Sequence, residues 1–289
     1  MYKMASPWSH ASVHPFQQAA FRPPHPSPLQ RWTLPLIPSN SPPAPSESSS
    51  PTSSKPDAST LLDKAVVINL DRHAVRYRET CAFMEKAGFT NIQRFPAIDG
   101  FTEPPETFDK YKMPRSLAPG LKGCAASHLT IWQQFIDADS RPYLFVAEDD
   151  MLPHSDFATL FPQFWAETPE SFDMVFVGHQ ERNASTTAKL ISVPTYCTHA
   201  YIISKHGAKK LIDLYLQLPS TDRDIHVIDI FLNVHMGRRQ FTYYLYNAIS
   251  YPDKVNTEFN RIRKTREGGI CFQNILLGSS IHTKEIVYD

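Results

Sequence analysis

Short apolar runs alternate with amphipathic stretches along the chain after residue 60. Apolar runs between turn residues are typical of buried strands, whereas apolar residues spaced three and four positions apart are typical of helices. The alternation predicts a Rossmann-like α/β fold with a mostly parallel central sheet flanked by helices, whose ligands lie at the carboxyl ends of the strands. The predicted strands are residues 65–70, 92–96, 143–147, 173–178 and 198–203, and the predicted helices are 73–87, 124–137, 205–218 and 222 to about 235.

Turn and capping residues predict where several of these elements begin and end. Gly88 closes the first predicted helix, because glycine readily adopts the left-handed conformation that follows a helix. Residues 221–224 match a capping box, which predicts the start of the last helix. Residues 99–120 are predicted to form a proline-containing loop that is long enough to be functional.

The first 60 residues differ in composition from the rest of the chain. They hold 13 of the 25 prolines and no glycine, and they lack the apolar periodicity that would offset the entropy of ordering. We expect residues 1–60 to be a disordered Pro/Ser-rich tail and residues 61–289 to be the functional domain. The tail has few acidic residues, as organelle transit peptides do, but its proline density argues against an amphipathic helix.

Composition argues against several classes of function. The chain has 29 basic and 29 acidic residues, so its charge gives no reason to expect nucleic acid as a partner. Its four cysteines are scattered without a CxxC pair, which argues against a zinc site. No apolar run is long enough for a transmembrane segment, and none follows the N-terminus as the core of a signal peptide would.

Three adjacent carboxylates follow the third predicted strand. Glu148, Asp149 and Asp150 come directly after the apolar run at residues 143–147. Their mutual repulsion requires water, a cationic side chain or a divalent ion to offset it, and Mg²⁺ and Mn²⁺ prefer carboxylate and phosphate oxygens. The triplet indicates either a site for a metal or a phosphate-bearing ligand, or an ordinary acidic turn before Pro153.

A second polar group follows the first predicted strand. Asn69 and Asp71 can hydrogen-bond a base or a ribose, and Arg72 and Arg76 can bind phosphate. Because the strands are predicted to be parallel, we expect both polar groups at one edge of the sheet and in one site. Asp71 has an alternative structural role as the N-cap of the helix that begins near residue 73.

Five stretches of the chain match one family in order and in approximate spacing. They are residues 67–72 with Arg76, 95–100, 123–129 with Trp132, 145–150, and 198–204 with 207–211. Together they make the chain resemble glycosyltransferase family 25, the family of lipopolysaccharide-type glycosyltransferases and collagen galactosyltransferases. Asp229 falls where that family has an acidic residue.

The resemblance implies a glycosyltransferase A type fold and a nucleotide-sugar donor. It makes the acidic triplet a variant of that fold's Asp-x-Asp metal motif. Asp150 is then expected to bind Mn²⁺ or Mg²⁺ directly, Asp149 to touch the ion, its water or the ribose, and Glu148 to contact the donor. A divalent ion stabilises the negative charge of a departing diphosphate without any proton being moved.

An inverting transfer, which the resemblance also implies, needs a base for the acceptor hydroxyl. We expect Asp229 to be that base, with Asp222 and Asp224 as alternatives, although Asp229 can also be read as an ordinary polar position of a helix. Ser127 and His128 begin a helix near the same edge and are expected to meet the diphosphate or the donor sugar. The downstream histidines that can complete a metal shell are His199, His226, His235 and His282.

The leading hypothesis is a metal-dependent glycosyltransferase that moves a hexose, galactose or glucose, from a UDP-sugar to a hydroxyl group of a glycan or protein. One alternative is a catalytically silent module that binds nucleotide-sugar or glycan and interacts through the tail. A metal-dependent phosphoester hydrolase is a third. The resemblance implies the secretory lumen of the ER or Golgi, and the sequon at Asn183 allows it, but without an entry signal the cytoplasm stays open.

Overall fold

The structure, a computed structural model, describes residues 55–180, 188–248, 250–251 and 268–274, all of which fall within one compact unit. The helices are α1 Ala58–Leu62, α2 Ala74–Lys86, α3 Glu106–Asp109, α4 Pro119–Ala138, α5 Phe157–Glu167, α6 Lys205–Leu216 and α7 Ile228–Gly237, with short 3₁₀ helices at Asp71–His73 and Asp224–His226. The strands are β1 Val66–Asn69, β2 Gln93–Pro96, β3 Tyr143–Glu148, β4 Met151–Pro153, β5 Met174–Phe176, β6 Gly178–His179, β7 Leu190–Ile191, β8 Ala200–Ser204, β9 Tyr243–Tyr246, β10 Gly268–Gly269 and β11 Cys271–Gln273.

Seven strands form the central sheet in the order β2-β1-β3-β8-β5-β9-β7. Five of them run in one direction, and β8 and β7 run in the other. The predicted α/β fold with a mostly parallel central sheet and flanking helices is therefore confirmed. The antiparallel insertion of β8 beside β3 was not predicted, and it brings Thr198 and His199, which precede β8, next to the acidic triplet.

Alternation along the strands builds one hydrophobic core on each face of the sheet. In β3, Leu144 and Val146 join a core covered by α4, α6 and α7, whereas Phe145 and Ala147 join a core covered by α1, α2 and α5. Both strand faces are buried, which explains why the strands read as continuous apolar runs in the sequence. Within the described ranges, no helix combines the length and the apolar character that crossing a bilayer requires.

Three predicted boundaries need correction. The capping box does not start a continuous helix, because Val227 is extended (φ −69°, ψ 124°) and separates the 3₁₀ turn from α7. The predicted loop at 99–120 contains α3, and α4 begins at Pro119, an N-terminal helix position that proline favours. Ordered structure also begins before residue 61, since α1 starts at Ala58 and the Trp165 indole donates to the Pro56 carbonyl over 2.7 Å. Residues 1–54 lie outside the described residues, so their disorder stays a prediction.

Candidate active site

The two predicted strand exits meet at one edge of the sheet. β1 and β3 are parallel neighbours with Ile68 opposite Glu148, so the residues that follow, Asn69 and Asp149, lie side by side. The side-chain amide of Asn69 donates to Oδ2 of Asp149 over 2.6 Å and to the carbonyl of His73 over 2.9 Å. A direct hydrogen bond therefore joins the two polar groups.

Arg76 offsets the charge of the two aspartates. Its guanidinium, predicted to bind phosphate, lies 2.6 Å from Oδ1 of Asp149 and 3.6 Å from Oδ2 of Asp150, and all three side chains are buried. Burial raises the pKa of Asp149 above its ordinary value, although the positive charge of Arg76 opposes this. The repulsion between neighbouring carboxylates can be relieved by water, a cationic side chain or a divalent ion. Here the protein itself supplies the cationic side chain.

Asp150 contacts β11 in addition to Arg76. Gln273 donates to Oδ2 of Asp150 over 3.2 Å, and the backbone N–H of Asn274 donates to the Asp150 carbonyl over 2.6 Å. In the part of the chain that the structure describes, the buried Oδ1 of Asp150 accepts no hydrogen bond. Burial, followed by the charge of Glu148, raises the pKa of Asp150 well above its ordinary value. A buried carboxylate oxygen without a donor is a suitable ligand for a cation.

A divalent ion would be held at this edge only together with a bound ligand that supplies further oxygen atoms. The described residues contain no group of three or more His, Cys, Asp or Glu side chains arranged to hold a metal ion. Both oxygens of Asp149 already have donors, which leaves Oδ1 of Asp150. Mg²⁺ is commonly bound by one or two carboxylates together with substrate phosphates and water. Among the described residues, Asp150 is the one whose Oδ1 atom would hold such an ion.

The downstream histidines have other contacts. His282 lies outside the described residues. Each of the other three has a ring nitrogen within hydrogen-bonding distance of a backbone carbonyl: His199 at Cys271, His226 at Pro219 and His235 at Phe231. These contacts are those of buried structural histidines.

Glu148 ends β3 and receives hydrogen bonds from two side chains. The His128 Nε2 atom lies 3.3 Å from Oε1 of Glu148, and the Thr198 hydroxyl donates to the same oxygen over 2.6 Å. Burial opposes ionisation of Glu148, yet the hydrogen bonds from His128 and Thr198 hold its pKa below the ordinary glutamate value. Glu148 is thus held as an oriented carboxylate.

Asp229 lies in the first turn of α7 and is linked to Glu148 through Thr198. The Thr198 hydroxyl is 3.5 Å from Oδ1 of Asp229. Burial, and then the charge of Glu148, raises the pKa of Asp229 to about 6. A carboxyl group that titrates close to neutrality suits general base catalysis. The alternatives, Asp222 and Asp224, are exposed, and Asp224 pairs with Arg223.

Two of the family-like stretches contact each other backbone to backbone. A Cβ atom added to Gly100 would collide with the carbonyl oxygen of Pro119, and one added to Gly123 would collide with that of Ile98 and lie 2.7 Å from the Gly100 nitrogen. The glycines therefore allow the loop after β2 to rest on the start of α4. The Ser127 hydroxyl reinforces this contact, because it accepts from the Ile98 N–H over 2.9 Å and donates to the Gly123 carbonyl over 2.7 Å.

The strand exits, this loop and the start of α4 enclose an open cleft of about 80 Å³. Arg72 forms an ion pair with Asp99 at the cleft. Asp71 is exposed, accepts from Arg94 over 2.6 Å and does not cap α2. The predicted donor-binding residues that line the cleft are Asn69, Arg72, Ser127, His128, Glu148 and Asp149.

Sequence reasoning assigned no role to four residues that hold this site together. Thr198 and Tyr201 lie in a stretch that matches the family, but their contacts depend on the pairing of β8 with β3, which no local pattern reveals. Arg94 contacts both Asn69 and Asp71. Gln273 reaches Asp150 from a strand that is distant in the chain, and we find no sequence signal for that contact.

The resemblance seen in the motifs is confirmed by a match between residues 62–231 and the family model described as glycosyltransferase family 25 (LPS biosynthesis protein). This match covers more than half of the chain and assigns it to the glycosyltransferases. Within that class, the chain belongs to family 25.

Two curated relatives are similar over part of their length. The chain is 25% identical over 188 residues to the procollagen lysyl hydroxylase and glycosyltransferase of Acanthamoeba polyphaga mimivirus, which covers 56% of this chain and 21% of the relative. It is 29% identical over 108 residues to the probable inactive glycosyltransferase 25 family member 3 of Bos taurus, which covers 34% of this chain and 18% of the relative. The chain thus spans about a fifth of the length of the curated relatives it matches.

A solved structure is similar over most of this chain. It is the crystal structure of a glycosyltransferase involved in the glycosylation of the major capsid of PBCV-1. The TM-score is 0.43 and the sequence identity 11%, with 76% of this chain and 94% of that chain covered.

Proposed function

We propose that the chain transfers a hexose, galactose or glucose, from a UDP-sugar to a hydroxyl group of a glycan or protein, with inversion at the anomeric carbon and with Mn²⁺ or Mg²⁺ as cofactor. The observation that carries this proposal is the arrangement of carboxylates in and beside the cleft. Asp149 and Asp150 share one arginine, and Asp229 is linked to the cleft wall through Thr198 and Glu148.

The residues at the cleft are suited to a nucleotide diphosphate. Asn69 and Asp149 place an amide and a carboxylate at the exits of adjacent strands, and a ribose or base would hydrogen-bond them by replacing one of their present contacts within the protein. Arg72 provides a guanidinium, whose planar fork matches phosphate oxygens. Asp150 would hold the divalent ion, and the chemistry that the ion would supply is neutralisation of the charge that develops on the leaving group.

The proposed base is Asp229, which lies on the opposite side of Thr198 from Glu148. Asp229 takes the proton of the acceptor hydroxyl as that oxygen attacks the anomeric carbon, and the bond from that carbon to the diphosphate oxygen breaks in the same displacement. The charge of Glu148 disfavours a second negative charge nearby, which increases the basicity of Asp229. The Thr198 hydroxyl lies between the two carboxylates, because it donates to Glu148 and is 3.5 Å from Oδ1 of Asp229.

The test is a donor screen with the full chain. UDP release from UDP-galactose and UDP-glucose is measured with and without Mn²⁺, in the presence of simple sugars and hydroxylysine peptides, and products are identified by mass spectrometry and NMR. We expect acceptor-dependent UDP release and a product of inverted configuration. Loss of release in Asp150→Ala and Asp229→Asn supports the assigned roles. Absence of transfer from every donor would overturn the proposal.

A second candidate function is a catalytically silent module that binds nucleotide-sugar. The ion pair of Asp149 with Arg76 favours it, because both oxygens of this carboxylate are already engaged. In the same screen this candidate predicts UDP binding without turnover. A hydrolase would instead release free sugar whether or not an acceptor is present.

A further inference from the structure

A chain of hydrogen bonds runs from the core to the cleft wall. The indole Nε1 of Trp132 lies 2.9 Å from the hydroxyl of Tyr201, and that hydroxyl lies 2.8 Å from Nδ1 of His128. The Nε2 atom of His128 then lies 3.3 Å from Oε1 of Glu148. Trp132 and His128 are one turn apart on α4, Tyr201 is on β8, and all three are almost completely buried.

The donors and acceptors in this series of hydrogen bonds can be assigned by starting from Trp132. An indole N–H can only donate, so the Tyr201 oxygen accepts from Trp132. The Tyr201 hydroxyl retains one proton, and its second neighbour among the described residues is Nδ1 of His128. If the hydroxyl donates to Nδ1, the imidazole carries its proton on Nε2, where it faces Glu148.

The other tautomer leaves two atoms unsatisfied. With the proton on Nδ1, the Tyr201 oxygen would accept twice and its own O–H would have no acceptor within the described part of the chain. The Nε2 lone pair would also face Oε1 of Glu148, which already acts as the acceptor of the Thr198 hydroxyl. A buried donor without an acceptor is costly, so the arrangement with the proton on Nε2 is preferred.

We infer that Tyr201, supported by Trp132, is a positioning residue that fixes His128 in the Nε2–H tautomer and aims this N–H at Glu148 on the cleft wall. His128 and Thr198 then hold one oxygen of Glu148 from two directions, so the carboxylate has a single orientation towards the cleft. The tautomer is a property of the fold, whereas its effect on sugar transfer rests on the proposed function.

The tautomer is tested by the ring ¹⁵N chemical shifts of His128 in the full chain at neutral pH, with His128→Gln used to assign the signal. We expect the wild type to show a protonated Nε2 and an unprotonated Nδ1. Tyr201→Phe should produce a mixture of tautomers, because its ring no longer donates to Nδ1. The control is Tyr246→Phe, which removes a buried hydroxyl that contacts Thr168 in the other core and should leave the His128 signals unchanged.

Kinetics then test the consequence for transfer. Tyr201→Phe should lower kcat roughly tenfold, since 1.4 kcal/mol per tenfold lies within the range of one hydrogen bond, while KM for the donor changes less. In a His128→Gln background, whose amide N–H needs no tautomer, the same substitution should cost clearly less. Equal losses in both backgrounds would contradict the positioning role.

The outcomes separate this inference from the proposed function. A wild-type spectrum with the proton on Nδ1, or a Tyr201→Phe spectrum identical to that of the wild type, overturns the inference whether or not the chain transfers sugar. The wild-type spectrum is decisive even if Tyr201→Phe fails to fold. A protonated Nε2 in a chain that transfers no sugar would support the inference and contradict the proposed function.

Discussion

Arg76 and Asp149 form a buried ion pair of 2.6 Å that fastens helix α2 to the end of strand β3. The Thr80 hydroxyl, one turn further along α2, donates to the Asp149 carbonyl over 2.7 Å and strengthens the same connection. The helix thereby supplies the counter-charge for the acidic edge before any ligand arrives. A part of the acidic triplet is therefore structural, and Asp150 retains the oxygen that is suited to a cation.

Replacing Arg76 should destabilise the fold. Arg76→Met leaves two buried aspartates without their counter-charge, and breaking a buried pair from one side costs about 3–5 kcal/mol in the free energy of unfolding. Urea denaturation of the full chain measures this loss. Arg78→Met is the matched control, because Arg78 is an exposed arginine on the same helix and its removal should change stability by less than about 0.5 kcal/mol.

The stability that Arg76→Met loses should be partly regained when the unpaired charge of Asp149 is also removed. We expect Arg76→Met combined with Asp149→Asn to be more stable than Arg76→Met alone, since the neutral amide needs no counter-charge. If the double variant is less stable than either single variant, the ion pair is not the reason for the destabilisation.

Asp150 should dominate metal binding. Calorimetric titration of Mn²⁺ in the presence of UDP should show Asp150→Asn weakening Mn²⁺ affinity by at least tenfold, because the substitution replaces the unsatisfied carboxylate oxygen by an uncharged group. Asp149→Asn should weaken it less, as both oxygens of Asp149 are engaged within the protein. Asp213→Asn, at an exposed aspartate paired with Lys209, is the control. Mn²⁺ binding of equal strength in all three variants would count against Asp150 as a ligand.

The pH dependence of transfer should report Asp229. A base must be deprotonated, and the pKa of Asp229 is raised to about 6, so kcat/KM should rise as the pH increases through about 6. Asp229→Asn should lower kcat by about 10²–10⁴. Glu148→Gln removes the charge that adds to the shift, so the midpoint of the remaining activity should move to lower pH. An unchanged midpoint in Glu148→Gln would contradict the link between the two carboxylates.

Protein stability should change in the opposite direction over the same range. The native state prefers the protonated form of Asp229, because its pKa is raised from 3.8 to about 6. Its contribution to stability is therefore present below the lower value and is lost as the pH rises through the higher one. Thermal denaturation of the wild type and Asp229→Asn between these pH values checks this, since the uncharged amide should abolish that part of the pH dependence.

Strands β1, β2, β3, β5 and β8 could be predicted from local patterns, and so could the joint position of Asn69 and Asp149, whereas β7 and β9 of the central sheet were not predicted. Apolar runs identified β1 and β3, and parallel neighbours place their exits together. The direction of β8 could not be predicted, since an apolar run reads the same in a parallel and an antiparallel strand. For the same reason the contact of Tyr201 with His128 and that of Thr198 with Glu148 escaped sequence reasoning.

The sequence also could not show which partner each charged residue would bind. Arg76 has the same spacing from β1 whether it binds a phosphate or an aspartate, and only the packing of α2 against β4 and β1 brings it to Asp149. The capping-box match failed at Val227, where an extended residue separates the 3₁₀ turn from α7. Motif spacing identifies which residues gather at a site, whereas the tertiary packing decides which of them remain available to a ligand.

The contact between Gly100 and Gly123 gives the last prediction. Gly123→Ala places a methyl group against the backbone of Ile98 and Gly100, neither of which can rotate away as a side chain would. We expect the free energy of unfolding to fall by roughly 1–3 kcal/mol, and UDP affinity to weaken because the loop after β2 must move away from the cleft. Gly237→Ala is the matched control, since a Cβ at this last residue of α7 meets nothing within 4 Å and should be neutral or stabilising by up to about 1 kcal/mol. Urea denaturation and UDP titration of both variants make the comparison, and an equal response of the two alanines would show that the close approach of the loop to α4 does not shape the cleft.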